Sequence, residues 1–280
     1  MREPILQVRG LHYAYDEEKH ALDDISMDIH PGERIAVLGT NGAGKSTFFL
    51  CLNGVLEPHE GEILLHGQQV DKRARNILRE HVGVVFQNAD DQIIASTVLA
   101  EVSFGPMNLR LPRAEVERRV DLAIAAMDLE DYRHRPPHYL SGGEKKRVSI
   151  ADIIAMESEV ILFDEPAASL DPVGTEMLEQ VLEGLSAAGK TLVISTHDMD
   201  FAFRWAERVV VFSGGRIIDD GDPLAVFLNE ATVSCANLRR PTMLTVFQSL
   251  RAHGLVPPGA GCPRTPQQLD ALLDRMRISS

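Results

Sequence analysis

Residues 39–46 read Gly-Thr-Asn-Gly-Ala-Gly-Lys-Ser, the spacing G-x-x-x-x-G-K-[ST] of a loop that cradles a polyphosphate. Gly39, Gly42 and Gly44 let backbone N–H groups turn toward phosphate oxygens, and the helix that follows adds its partial positive charge. Lys45 can reach the β and γ phosphates and Ser46 can ligate Mg²⁺, while Asn41, Ala43 and Thr47 lie in the same stretch and are expected to contact the nucleotide with them. A second group, Asp164-Glu165, follows the apolar run Val160–Phe163. There Asp164 can hold Mg²⁺ directly or through water, and Glu165 can polarise an attacking water as general base. A third segment, Leu140-Ser141-Gly142-Gly143-Glu144-Lys145-Lys146-Arg147, offers a hydroxyl, N–H groups and a helix start aimed one way, which is a second anion site. One nucleotide does not need two phosphate sites in one chain. The economical arrangement is a head-to-tail dimer in which two chains enclose two ATP.

Placing these groups at one edge requires a particular scaffold. Apolar runs of strand length, Ile35–Leu38, Val82–Phe86, Val160–Phe163, Thr191–Ser195 and Val209–Phe212, alternate with helical stretches, as in a parallel sheet covered by helices on both faces. The shorter, more alternating runs Ile5–Val8, Ile25–Ile29 and Ile63–Leu65 point to an antiparallel sheet on the N-terminal side. Between Gln87 and Ser141 the period turns helical, with Val116, Val120, Ile124 and Met127 on one face after Pro112, which reads as a helical insertion over about residues 88–158.

The chain has 280 residues with a formal net charge of −13 and 44% hydrophobic residues, which excludes disorder and leaves one large domain with at most a small appendage. The acidic surplus disfavours a general grip on nucleic acid or an anionic membrane. No uncharged apolar run is long enough to span a bilayer, and Met-Arg-Glu-Pro is not expected to open a signal peptide. Cys51, Cys235 and Cys262 lack any metal-binding spacing and suit a reducing compartment. His134 and His138 flank a Pro-Pro pair and read as surface-loop residues. The charge is uneven, because residues 235–280 carry a net +4 and residues 1–234 the remaining −17. A boundary is therefore expected near residue 234, with a basic accessory segment beyond it. Within that segment a Pro/Gly cluster (Pro257 to Pro266) precedes a helix capped by Thr265, whose stripe Leu269, Leu272, Leu273 and Met276 needs a cover, either its own body or a partner subunit.

Taken together, the three segments resemble the nucleotide-binding subunit of ATP-binding-cassette (ABC) transporters over roughly residues 4–225. The resemblance implies an α/β P-loop NTPase cassette with a mainly parallel core sheet, an N-terminal antiparallel β subdomain, a helical subdomain and a small C-terminal appendage. It implies ATP and Mg²⁺ as ligands, with Ser46, Gln87 and Asp164 around the metal. Tyr15 stands where the family places a ring against adenine. Gln87 stands where it senses metal and attacking water and touches the membrane subunit. His197 matches the histidine that contacts the γ-phosphate and orients Glu165. Ser169-Leu170-Asp171 looks like the loop that communicates across the dimer, with Asp171 as its acid. Ser141, Gly142, Gly143 and Glu144 would contact the partner's ATP.

A narrower resemblance lies in Val85-Phe86-Gln87-Asn88-Ala89-Asp90-Asp91-Gln92 and Glu101 to Leu109, which look like the ATPase of energy-coupling-factor importers, with Leu140 to Val148 similar to those of the cobalt and nickel type. Ala89 stands where Pro is common in that group and Glu144 where many have Gln. The implied assembly is a homodimer, or a pair with a related cassette, on the cytoplasmic face of the cell membrane. Integral-membrane partners would touch Gln87, Asp90, Asp91 and the helical subdomain. Cobalt is the implied cargo, with nickel, a vitamin or another cassette transporter as alternatives. A soluble cassette ATPase acting on DNA or the ribosome fits less well, because only 53 residues separate Gln87 from Ser141, too few for a long coiled-coil insertion. A stand-alone small-molecule kinase would leave Ser141-Gly-Gly and His197 unexplained.

Overall fold

The computed structural model describes residues 3–16, 20–71, 74–168, 170–257 and 259–278. Ser169 and Pro258 lie outside the described residues, as does the side chain of Met276. The chain begins with β1 (Leu6–Ala14), β2 (His20–Ile29), β3 (Arg34–Leu38), α1 (Lys45–Leu52), β4 (Glu60–Leu65), β5 (Gln68–Gln69), α2 (Asn76–His81) and β6 (Val82–Val85). The helices α3 (Val98–Asn108), α4 (Arg113–Ala126) and α5 (Gly142–Met156) follow. Next come β7 (Val160–Asp164), α6 (Pro172–Ala187), β8 (Thr191–Ser195), α7 (Met199–Trp205), β9 (Arg208–Ser213) and β10 (Arg216–Gly221). Beyond them lie α8 (Pro223–Leu228), α9 (Glu230–Cys235), α10 (Thr242–Ala252) and α11 (Pro266–Ile278).

The core sheet has the order β10-β9-β3-β8-β7-β6, and β9, β3, β8, β7 and β6 run parallel. These strands are buried on both faces, as the unbroken apolar runs demand. Parallel pairing brings their C-terminal ends to one edge, so the loops after β3, β6, β7 and β8 meet there. The antiparallel edge strand β10 was not foreseen. Its alternation of exposed and half-buried residues is that of a strand with one solvated face, and two of its six residues are Asp. The second sheet, β2-β1-β4-β5, is antiparallel as expected, and β1 and β2 run well beyond the apolar runs that announce them.

One core lies between the two sheets and around α1, where Phe48, Phe49 and Phe212 are fully buried. The other lies on the opposite face and joins the helical insertion (Val102, Val120, Ile124, Val148) to Ile161, Phe163 and Leu192 of the sheet. Each such side chain removed from water contributes about 1.5–3 kcal/mol, so insertion and sheet are held as one packed unit. Met127, expected within the helix after Pro112, instead caps α4 and remains buried.

The stretch after Cys235 packs back on the rest of the chain. Ala236 and Leu244 are buried in the same core as Phe227 and Trp205. The Asp200 carboxylate accepts from the Thr242 N–H at 2.6 Å and from its hydroxyl at 2.9 Å. The basic surplus finds acids on the body: Arg240 pairs with Glu230 at 3.0 Å and Arg264 with Asp222 at 2.8 Å. Arg264 also donates to Ala206 O and lies over the Phe203 ring. On α11, Leu269 and Leu272 are half-buried and Leu273 is exposed.

Candidate functional site

The loop between β3 and α1 is shaped by glycines that no other residue could replace without displacing backbone. Gly39 and Gly44 have φ of 142° and 107°. A Cβ on Gly39 would lie 2.3 Å from Phe212 O, and one on Gly44 would lie 2.4 Å from Ala21 O. Lys45, the first residue of α1, is buried, and its ammonium donates to Gly39 O at 2.7 Å and Thr40 O at 3.2 Å. Burial lowers its pKa, against the pull of Glu165 and Asp164. The loop is thus folded around its own lysine.

Asp164 ends β7 and Glu165 follows it in a left-handed conformation, φ 46°, which turns its side chain away from the strand direction. Ser195, the register partner of Asp164 on β8, holds both acids. Its hydroxyl donates to Asp164 Oδ1 at 2.5 Å and accepts from the Glu165 N–H at 3.0 Å. Sequence reasoning did not single out Ser195, because a serine ending an apolar run carries no signal until the register is known. Burial pushes the Glu165 carboxyl above the usual carboxylate range, against the pull of His197 and Lys45. His197 Nε2 lies 2.9 Å from Asn41 Oδ1, to which it donates, and 2.9 Å from Glu165 Oε1, which is buried without a hydrogen bond of its own, so the ring stands between the acid and the loop.

A cleft of about 320 Å³ brings together Tyr15, Asn41, Gly42, Ala43, Gly44, Lys45, Ser46, Thr47, Gln87, Asp164 and Glu165. Gly39 stands behind it as the acceptor of the Lys45 ammonium. At its mouth Tyr15 is 64% exposed, with its hydroxyl 3.2 Å from Thr47 Oγ1 and its ring in a T-shaped contact with Tyr13. The hydroxyl of Ser46, the amide oxygen of Gln87 and the carboxylate of Asp164 form a hard oxygen set in this cleft, the donor chemistry that suits Mg²⁺.

Ser141 to Glu144 are not part of the cleft lining. Ser141 caps α5 reciprocally with Glu144: the Glu144 N–H donates to Ser141 Oγ at 3.3 Å, and the Ser141 N–H donates to Glu144 Oε2 at 2.7 Å. The backbone N–H of Ser141, with the Tyr132 hydroxyl, holds the Glu144 carboxyl below its usual range. That carboxylate is therefore turned back into the cap. The Ser141 hydroxyl accepts from the Glu144 N–H and also helps to hold the Glu144 carboxylate, so both are engaged within the cap. Asp171 likewise caps α6, accepting from the Gly174 N–H at 2.7 Å.

Two lysines of α5, given no role by sequence, tie that helix to the loop carrying Gln87. Lys146 is 1% exposed and donates to Phe86 O at 2.6 Å and Gln87 O at 2.9 Å. Lys145 pairs with Asp90 at 2.6 Å. Gln92 closes this loop, accepting from the Phe86 N–H and donating to Ser149 O and Asp152 Oδ2. Beside it runs a groove of about 580 Å³, with Phe86, Ile94, Phe104, Asp152 and Met156 among its walls.

In that groove burial pushes the Asp152 carboxyl up to about 7; the Gln92 amide works the other way and Glu101 adds to the rise. In an unfolded chain this carboxyl titrates near about 4. Between those values the folded protein binds more protons than the unfolded one, so the stability this group contributes is present below about pH 4 and is lost as pH rises through about 7. Asp152→Asn keeps an oxygen for Gln92 and removes the titration. Its stability relative to wild type is expected to rise by about 1–3 kcal/mol between pH 4 and 8, as measured by urea unfolding at several pH values. Parallel curves for the two proteins would contradict the assignment.

The family described as ABC transporter matches residues 22–168. The chain is 46% identical over 270 residues to the cobalt import ATP-binding protein CbiO of Rhodobacter capsulatus, covering 96% of each chain. It is 44% identical over 255 residues to the energy-coupling factor transporter ATP-binding protein EcfA of Methanocaldococcus jannaschii, covering 90% of this chain and 91% of the relative. Among solved structures, cbiO1 from Clostridium perfringens, described as part of the ABC transporter complex cbiONQ, superposes with a TM-score of 0.72 at 39% identity, covering 90% of this chain and all of that one.

Proposed function

The chain belongs to the ABC transporter family as an ATP-binding ATPase subunit, and on that premise we propose that it is the ATP-hydrolysing motor of an energy-coupling-factor importer. In this reading it works as a dimer on the cytoplasmic face of a cell membrane, and its cargo is a cobalt or nickel ion. The observation that carries the dimer is the division of the phosphate groups: loop, acids and His197 meet at one sheet edge, while the helix start at Ser141 lies outside that cleft. No helix among the described residues is long and apolar enough to cross a membrane, so the translocation path belongs to partner subunits. Ile94 and Phe104, 72% and 50% exposed, give the groove beside the Gln87 loop, with Asp90 and Asp91, an apolar rim for such partners.

The triphosphate lies along the backbone of residues 39–46, with adenine against Tyr15. Lys45 leaves Gly39 O and Thr40 O for phosphate oxygens. Ser46, Gln87 and Asp164 would hold Mg²⁺, which supplies charge neutralisation on the phosphates when bound. Glu165 accepts a proton from the attacking water as its oxygen bonds to the γ-phosphorus and the bridging bond to ADP breaks. His197 holds Glu165 in line with Asn41 and the loop. Ser141 and the N–H groups of Gly142 and Gly143 donate to the γ-phosphate held by the partner, so hydrolysis removes the charge both chains share and the dimer reopens.

Complementation tests the composite site. Ser141→Ala and Glu165→Gln chains are each expected to turn over ATP poorly. Their equimolar mixture contains heterodimers with one intact site and should recover on the order of a quarter of wild-type turnover. A mixture no faster than its two components would refute the shared site. Co-expression with integral-membrane subunits of an energy-coupling-factor importer, followed by uptake of labelled Co²⁺, Ni²⁺ and vitamins, tests the cargo.

A further inference from the structure

We propose that His66, His81 and Glu159 form a binding site for a divalent first-row transition-metal ion, separate from the nucleotide cleft. Three elements converge there: His66 begins the turn from β4 to β5, His81 ends α2, and Glu159 immediately precedes β7. The catalytic acids lie at the other end of β7, five strand residues away, or roughly 16 Å at about 3.3 Å per residue.

The ligand atoms are already gathered. His66 Nε2 lies 3.2 Å from Glu159 Oε2, and His81 Nδ1 is hydrogen-bonded to Glu159 Oε1. One ligand atom from each residue falls within 4.8 Å of the other two. Two ligands at about 2.0–2.1 Å from a tetrahedral zinc lie about 3.4 Å apart, so the His66–Glu159 edge is near that length, and the edge between the imidazoles needs a small rotamer change. The rings stand 80° apart in plane, so their nitrogens approach the carboxylate from different directions.

The backbones that carry these groups are fixed. The Glu159 N–H donates to His81 O at 3.0 Å, Glu159 O accepts from the Thr191 N–H at 3.0 Å, and the His66 N–H donates to Ile5 O at 2.9 Å. The side chains are 52%, 35% and 41% exposed, so an ion and its completing waters enter without any opening of the fold. Two imidazoles and one carboxylate select Zn²⁺, Ni²⁺, Co²⁺ or Cu²⁺ over Mg²⁺ or Ca²⁺, which take oxygen ligands. A bound ion ties the N-terminal sheet to the core sheet and, by binding only the folded chain, raises its stability with metal concentration.

The test uses the full chain, stripped with chelator and free of nucleotide. Zn²⁺ is titrated against a chromophoric competitor, and Co²⁺ is followed by its visible absorption. The wild type is expected to bind one equivalent and to show a thermal midpoint that climbs with Zn²⁺. In the doubly substituted H66A/H81A the affinity should fall at least about tenfold and the midpoint should cease to respond. Glu159→Gln, which keeps a hydrogen-bonding group in place, should weaken binding without lowering the metal-free midpoint. H134A/H138A should bind as wild type does. Equal Zn²⁺ affinity in H66A/H81A and wild type, or no saturable one-equivalent binding by the wild type, would overturn the proposal.

Discussion

Glu165→Gln is expected to lower ATP turnover by about 10²- to 10⁴-fold, the usual contribution of a general base, while ATP-dependent dimers remain detectable by gel filtration. Glutamine fills the same space, and the backbone bonds from the Glu165 N–H to Ser195 O and Oγ do not involve the side chain. The positive φ of residue 165 is therefore unaffected, and what disappears is the proton acceptor beside His197. Because burial raises the Glu165 carboxyl above the ordinary carboxylate range, the acid limb of the wild-type rate profile should lie above the pH at which an exposed glutamate titrates. Turnover near that of wild type in Glu165→Gln would remove Glu165 from the mechanism. A dimer lost along with activity would place its charge in nucleotide binding rather than in water activation.

The elements that announce this site in the sequence are those whose chemistry forces a local pattern. A polyphosphate loop needs glycine where φ is positive, and Gly39, Gly42 and Gly44 all have it. Buried parallel strands need unbroken apolar runs, so β3, β7 and β8 were legible with their ends nearly in place. Ser195, Lys146 and Gln92 were not legible, because each acts through a partner at least 30 residues away in sequence and becomes meaningful only when strand register and helix packing are known. Strand β10 lacks the apolar run because one face is solvated. The charge break near residue 234 is real in composition, yet Ala236 and Leu244 join the main core. Charge reports which surfaces face each other, here Arg264 and Asp222, whereas burial decides where a packed unit ends.

Lys45→Ala is expected to weaken equilibrium ATP affinity by roughly 10²- to 10⁴-fold, because two charge-assisted phosphate contacts at about 1.5–3 kcal/mol each are removed. The side chain has two duties, and they predict different observables. Without nucleotide its ammonium satisfies Gly39 O and Thr40 O; loss of that role strains the loop and would show as a lower unfolding midpoint of the nucleotide-free chain. With nucleotide it meets phosphate, and loss of that role shows as weaker binding, measurable by calorimetry at constant protein stability. Lys45→Arg separates charge from geometry: its guanidinium keeps the charge, but a planar fork does not reproduce a single nitrogen that meets both carbonyls or the phosphate oxygens that replace them. Arginine should therefore fail to restore affinity even though the charge is conserved. If Lys45→Ala binds ATP as tightly as wild type, the loop's lysine serves only the loop, and the phosphate must be held elsewhere.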